Sequence, residues 1–116
     1  MRKFFKAFDY AWSGISHGIA AERNVKFHLF AMIVVIVAGF LTGLSALEWC
    51  IVLLLIGGML SLEMMNAAIE RVVDLITMDK HPLAKHAKDL AAGAVLIYAI
   101  ISAVIGLILF IPKWFH

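Results

Sequence analysis

The chain alternates long apolar runs with short polar breaks, and the runs set the elements. In residues 1–21, Phe4, Phe8, Trp12, Ile15 and Ile19 recur at helical spacing beside Arg2, Lys3 and Lys6, which predicts an amphipathic helix lying in a membrane interface. Asp9, Ser13, Ser16 and His17 interrupt it. A signal peptide needs a continuous apolar core after its basic residues, so this segment is expected to stay on the mature protein. Glu22, Arg23, Asn24, Lys26 and His28 form a polar cluster before the uncharged run Leu29 to Leu47. Gly43 and Ser45 mark a tight turn, and Ser45 with Glu48 three residues on is a capping-box pattern that opens the next helix. That helix can run unbroken from Ala46 to about Ile76, with Gly57 and Gly58 allowing close helix packing. A polar loop from Thr77 to Pro82 follows, and Pro82 suits a helix start. The uncharged stretch Leu90 to Pro112 then ends in Lys113, Trp114 and His116, an interfacial anchor. The expectation is an all-α integral membrane protein with one membrane domain over 1–116: a surface helix at 1–21 and membrane helices at about 27–44, 46–76 and 83–112.

Composition agrees on the solvent. With 64% hydrophobic and 16% charged residues and a mean hydropathy of +0.98, the chain has too few polar side chains to cover a soluble globule. A formal net charge of +2 gives no support to a nucleic-acid partner. Cys50, the single cysteine, lies in an apolar run; it excludes intrachain disulfides and cysteine metal cages and is expected to pack. Basic residues gather in the N-terminal segment (Arg2, Lys3, Lys6, Arg23, Lys26) and around the second loop (Arg71, Lys80, Lys85, Lys88), whereas the first loop has only Glu48. The positive-inside bias therefore puts the N-terminus and second loop in the cytoplasm of a multi-pass protein of the cell membrane.

The candidate chemistry lies on that side. Glu63, Asn66, Glu70 and Asp74 sit at i, i+3, i+7 and i+11, within roughly 80° on one helix face. Glu63 comes about 21 Å along the axis from Trp49, inside or at the inner edge of the hydrocarbon. A bystander carboxylate at that depth costs about 2.5 kcal/mol or more. Its place there suits it to a general base that accepts a hydroxyl proton. Glu22 and Glu70 could supply oxygens to a hard divalent cation such as magnesium shared with nucleotide phosphates. Lys88 could stabilise charge on a transferring phosphate, and Asn66 could orient a carboxylate or meet a phosphate oxygen. The plain structural readings are a surface charge network for Glu70, Asp74, Arg71 and Lys88, a helix-to-helix hydrogen bond for Asn66, a solvated helix end for the Glu22 cluster, and loop or interface roles for His28 and His81. Neither a GxxxxGK nor a GxGxxG loop is present.

The run Glu63-Met-Met-Asn66-Ala-Ala-Ile-Glu70-Arg-Val-Val-Asp74, followed by His81-Pro82-Leu-Ala-Lys-His-Ala-Lys88-Asp89 and Gly93, resembles the signature of the small prokaryotic diacylglycerol kinases. The likeness covers essentially the whole chain. Glu22-Arg23-Asn24 with His28, the segment from Glu48-Trp49 to Gly57-Gly58-Met, and His81-Pro82 look most like the Gram-positive branch of undecaprenol kinases. The resemblance implies a homotrimer with active sites shared between protomers, a catalytic base at Glu63, and magnesium held with ATP by Glu22 and Glu70. It implies nucleotide contacts from Lys3, Tyr10, Glu22, Asn66, Glu70, Asp74, Asp79, His81, Lys88 and Asp89, and lipid contacts from Trp12, Asn24, His28 and Glu63. Two positions depart from it: Ala67 replaces a small hydroxyl residue, and Lys3 stands where the enterobacterial branch has arginine. The acceptor expected is undecaprenol, with diacylglycerol second; a noncatalytic membrane bundle is the reading from another class.

Overall fold

Three breaks, each made by different local chemistry, divide the chain into four helices in a computed structural model that describes residues 1–115: α1 (Arg2–Ala21), α2 (Arg23–Thr42), α3 (Ala46–Ile76) and α4 (Pro82–Trp114). His116, expected in the C-terminal anchor, lies outside the described residues. The first break is Glu22 alone, extended at φ −98° and ψ 117°. Its N–H still donates to the Gly18 carbonyl and its carbonyl accepts from Lys26 N–H, so the chain turns while keeping its backbone bonds. The second break is Gly43, left-handed at φ 79°, a conformation that favours glycine. Ser45 then caps α3: its N–H donates to Glu48 Oε1 at 2.9 Å, and Glu48 N–H donates to Ser45 Oγ at 3.2 Å. At the third break Asp79 N–H donates to Thr77 Oγ1 at 3.1 Å, and His81 Nδ1 accepts from Leu83 N–H at 3.1 Å to cap α4.

Helices α2, α3 and α4 are each long and apolar enough to cross a membrane. The first of them begins at Arg23 rather than near 27, because Arg23 to Lys26 follow an extended cap directly and nothing in them breaks a helix. It stops at Thr42, where Gly43 takes the left-handed turn. At the other end α4 runs through Pro112, placed in its last turn, to Trp114.

The central element is α3, which packs on both α2 and α4, while α1 touches mainly α2. Leu44, Val52 and Phe110 form the buried core at the α2–α3 turn, with Val35, Trp49, Ile56 and Leu109 around them. That end is tied further: Lys113 Nζ lies 2.8 Å from Glu48 Oε1, and Trp114 Nε1–H donates to Thr42 Oγ1 at 2.7 Å. Gly18 is the one buried residue of α1, against the Met64 side chain. Two expectations are corrected. Cys50 does not pack within the chain but is exposed, since the α3 face it occupies has neither α2 nor α4 over it. Of the glycine pair, only Gly58 makes a close approach; nothing lies within 4 Å of the Cβ position of Gly57.

At Gly58 a Cβ would stand 2.1 Å from Tyr98 Oη. The missing side chain lets the Tyr98 ring lie on α3 and donate its hydroxyl proton to the Leu54 carbonyl at 2.9 Å. Gly58→Ala should therefore lower stability by about 1–3 kcal/mol through overpacking and loss of that bond. Gly57→Ala should be neutral or mildly stabilising. Thermal unfolding of both variants in detergent micelles checks the contrast; equal effects would mean that Tyr98 does not seat there.

Candidate functional site

The stripe on α3 divides by depth. Glu63 and Asn66 are buried at 4% and 6% exposure, while Glu70 and Asp74 are half-buried. The burial arises because this face turns toward α2, whose His28 Nε2 comes to 3.6 Å from Glu63 Oε2. At that distance a single ordered water, or a modest side-chain rotation, would complete a hydrogen bond. One turn on, Asn66 Nδ2 donates to Glu70 Oε1 at 3.1 Å. Asn66 Oδ1 is buried with no partner in the chain, an acceptor held next to the carboxylates and free for an incoming donor.

Among the described residues three further ion pairs lie at this end. Lys88 Nζ lies 2.5 Å from Asp74 Oδ1, which joins α4 to α3, and Lys85 Nζ lies 2.5 Å from Asp89 Oδ2 within α4. Arg71 Nη2 donates to Glu22 Oε1. This bond fastens the α1–α2 break to the turn of α3 that carries Glu70, because Arg71 follows Glu70 in the chain. The structure thus brings together Glu63 with His28, Asn66 with Glu70, and Asp74 with Lys88, and it places Glu22 beside the same stretch of α3. It does not bring in Lys3, Tyr10 or Trp12, which are exposed on α1. Asn24, Asp79 and Asp89 are exposed, and His81 is occupied as the α4 cap. The ion pair of Arg71 with Glu22 was not legible in the sequence, where the two lie far apart and Arg71 reads as a neighbour of Glu70 and Asp74.

Among the described residues no three His, Cys, Asp or Glu side chains gather as a complete metal cage. Glu22, at the break between α1 and α2, and Glu70, on α3, are oxygen donors from different elements. Two carboxylates fit a hard cation that brings its other ligands from phosphates and water, the usual condition for magnesium with a nucleotide.

A cavity of about 290 Å³ runs between α2, α3 and α4 from His28 to Phe110. Its wall is apolar except for His28 and Ser102, and Ser102 Oγ is buried without a partner. A second cavity, of about 700 Å³, opens at the α3–α4 loop and is lined by Asp74, Asp79, Lys80, His81, Lys85 and Lys88 among others. One cavity is an apolar slot that reaches His28, the neighbour of Glu63; the other is a recess with charged residues in its wall that reaches Asp74, on the same helix as Glu63.

Comparison with known proteins finds relatives along nearly the whole chain. The family described as prokaryotic diacylglycerol kinase matches residues 9–110. An undecaprenol kinase from Bacillus subtilis is 55% identical over 113 residues, covering 97% of this chain and 92% of that protein. A diacylglycerol kinase from Synechocystis is 42% identical over 107 residues, covering 91% of this chain and 61% of that protein. The Escherichia coli diacylglycerol kinase is 28% identical over 114 residues, covering 98% and 91%.

The Asp74 to Lys88 pair is about 40% exposed on both sides, at 42% and 39%, so solvent screens it strongly. Asp74→Asn and Lys88→Met should each lower stability slightly, with a coupling energy in a double-mutant cycle of about 0.2–1 kcal/mol. A coupling well above that range would mean the pair is sequestered and holds the loop shut.

Proposed function

The chain belongs to the prokaryotic diacylglycerol kinase family, and on that premise we propose that it is a membrane lipid kinase that transfers the γ-phosphoryl group of ATP to the hydroxyl of undecaprenol, giving undecaprenyl phosphate. The observation that carries the reading is the buried Glu63, whose neighbour His28 lines the end of an apolar cavity. A noncatalytic bundle has no use for a carboxylate in that position, whereas a kinase needs one where a lipid hydroxyl must lose its proton.

In the proposed mechanism Glu63 accepts the proton of the acceptor hydroxyl as that oxygen bonds to the γ-phosphorus and the bond to the bridging β,γ-oxygen breaks, releasing ADP. His28 steadies the carboxylate from α2. Asn66 holds Glu70 through its Nδ2 and keeps Oδ1 free to accept from a substrate group. Lys88, drawn from Asp74, meets phosphate oxygen; His81 and Asp79 border the nucleotide recess, and Asp89 is tied to Lys85 on its rim. Glu22 and Glu70 would hold magnesium, which supplies charge neutralisation on the transferring phosphate. Lys3, Tyr10 and Trp12 reach a site by way of a neighbouring protomer in a homotrimer with shared sites. The exposed apolar stripe of α1 lies in the interface of a bacterial cell membrane, with the N-terminus and the α3–α4 loop cytoplasmic.

The acceptor follows from the cavity wall. Four hydroxyls lie on or near the flanking spans: Thr42 accepts from Trp114, Ser45 caps α3 and Tyr98 donates to Leu54. Only Ser102 remains. Diacylglycerol brings two ester carbonyls, of which one at least would be left unpaired in such a groove, at about 1–3 kcal/mol. Undecaprenol, a hydrocarbon chain with one hydroxyl, carries no such demand. Diacylglycerol is the second reading, favoured by the other named relatives.

Two outcomes test this. Glu63→Gln keeps the shape and removes the base, so turnover should fall by roughly 100-fold or more while the oligomer survives. Near-normal turnover would remove Glu63 from the chemistry. In mixed micelles matched for lipid mole fraction, kcat/KM should favour undecaprenol by about tenfold or more. Equal or better efficiency with diacylglycerol would overturn the acceptor and leave the kinase standing.

A further inference from the structure

Arg71 is a charged group that the mechanism above does not use, and it sits on a carboxylate that the mechanism needs. Glu22 is the cap residue between α1 and α2, yet its side chain makes no capping bond to the first turn of α2. It is turned instead to Arg71, whose guanidinium donates to Glu22 Oε1. The arginine side chain is 49% exposed and the glutamate 25%, so the bond orients the carboxylate and is cheap to open. A guanidinium and a divalent cation repel each other when both crowd one carboxylate. The neighbouring acidic groups already have partners of their own: Asp74 has Lys88, Asp89 has Lys85, and Glu70 has the amide of Asn66. The contact that a cation at Glu22 must open is therefore the one with Arg71.

We propose that Arg71 is a counter-ion that exchanges partners: it neutralises Glu22 in the cation-free protein and moves to a phosphate oxygen of the nucleotide when a divalent cation takes Glu22. Arg71 directly follows Glu70 in α3, so on release its guanidinium stays within a side chain's length of the two carboxylates. A phosphate arriving with the cation turns the repulsion into attraction, and the guanidinium fork matches phosphate oxygens at two points where an ammonium gives one. Arg71 is thus a nucleotide-positioning residue that also keeps Glu22 from standing unpaired when no cation is bound. The proposal rests on the lipid-kinase reading and its two-carboxylate cation site.

The test uses the full chain in detergent micelles, with Arg71→Gln and Arg71→Lys compared to wild type. Binding of Mn2+ alone is read from the free-ion signal in electron paramagnetic resonance, and binding of the magnesium complex of β,γ-imido-ATP is read by calorimetry. Arg71→Gln should bind Mn2+ alone about threefold or more tighter, because its competitor is gone, and should bind the nucleotide complex about tenfold or more weaker. Arg71→Lys, which keeps the charge and with it the fold, should weaken the nucleotide complex by about threefold or more, having lost the fork. Unchanged binding of both probes in the two variants would make Arg71 a fixed strut and overturn the proposal. Weaker Mn2+ binding in Arg71→Gln would overturn it too, since Arg71 would then be building the cation site rather than competing for it. If wild type bound neither probe, the kinase reading itself would fall and this proposal with it, a result distinct from the other two.

Discussion

A carboxylate buried among apolar helices is the constraint to which this fold answers. Glu63 is 4% exposed on a helix of 31 residues, at a depth where an ionisable side chain has to face protein or trapped water rather than lipid. α3 meets that demand by being the central element, with α2 and α4 on either side. α2 must come close enough to set His28 at 3.6 Å, and that approach requires both of its ends to be fixed. The left-handed Gly43 folds α2 back on α3 at one end, and the one-residue break at Glu22 sends α1 away at the other. Were α1 and α2 one continuous helix, the Glu22 carboxylate would have no reason to face Arg71, and the cytoplasmic end of α2 would lose its tie to α3.

The two ends of the bundle are held by different physics. At the α2–α3 turn the contacts are packed and directional: the Leu44, Val52 and Phe110 core, the Ser45 capping box, the Trp114 bond to Thr42, and Trp49 lying so close over Gly39 that a Cβ there would stand 2.6 Å from the indole. The core and the Trp49–Gly39 contact cannot open without breaking packing. At the opposite end α3 is joined to its neighbours by ion pairs at Arg71 and Lys88 whose groups are a quarter to a half exposed. Each such pair contributes about 0.2–1 kcal/mol and can trade a carboxylate for a phosphate at little cost. Rigidity is placed where no chemistry is proposed, and exchangeable charge is placed where a nucleotide is proposed to bind.

What could be read from the sequence follows the range of the interactions. The capping box was legible because Ser45 and Glu48 are three residues apart and both bonds are local. The stripe was legible because Glu63, Asn66, Glu70 and Asp74 share one helix, and helical periodicity alone puts them on one face. The contacts that decide how the site works join distant positions: Arg71 meets Glu22 across 49 residues, and Tyr98 reaches Leu54 across 44. Nothing local marks either. The glycine pair shows the same limit at finer grain. Adjacent residues on a helix point about 100° apart, so only one of Gly57 and Gly58 can face α4, and composition cannot say which. Cys50 read as a packed residue because its neighbours are apolar, but on a membrane helix an apolar neighbourhood describes the lipid-facing side as well as the interior.

The same ambiguity explains why the single chain gives only part of the proposed site. Apolar side chains such as Phe30, Leu54, Leu90 and Ile108 stand exposed along α2, α3 and α4, and lipid or a second copy of the chain can cover them equally well. Polar groups do not have that freedom. The orphaned Asn66 Oδ1 cannot be relieved by turning the amide over, because Nδ2 would then leave Glu70 Oε1. A buried acceptor without a donor costs about 1–3 kcal/mol, and hydrocarbon can supply none. The donor must come from a substrate hydroxyl, a trapped water, or a neighbouring protomer. Lys3 and Tyr10, exposed on an α1 that packs mainly on α2, carry donors that their own chain leaves unused. In the proposed trimer a vacant acceptor on one protomer and unused donors on another are complementary, which is why a site assembled between copies accounts for α1 better than one completed within a single chain.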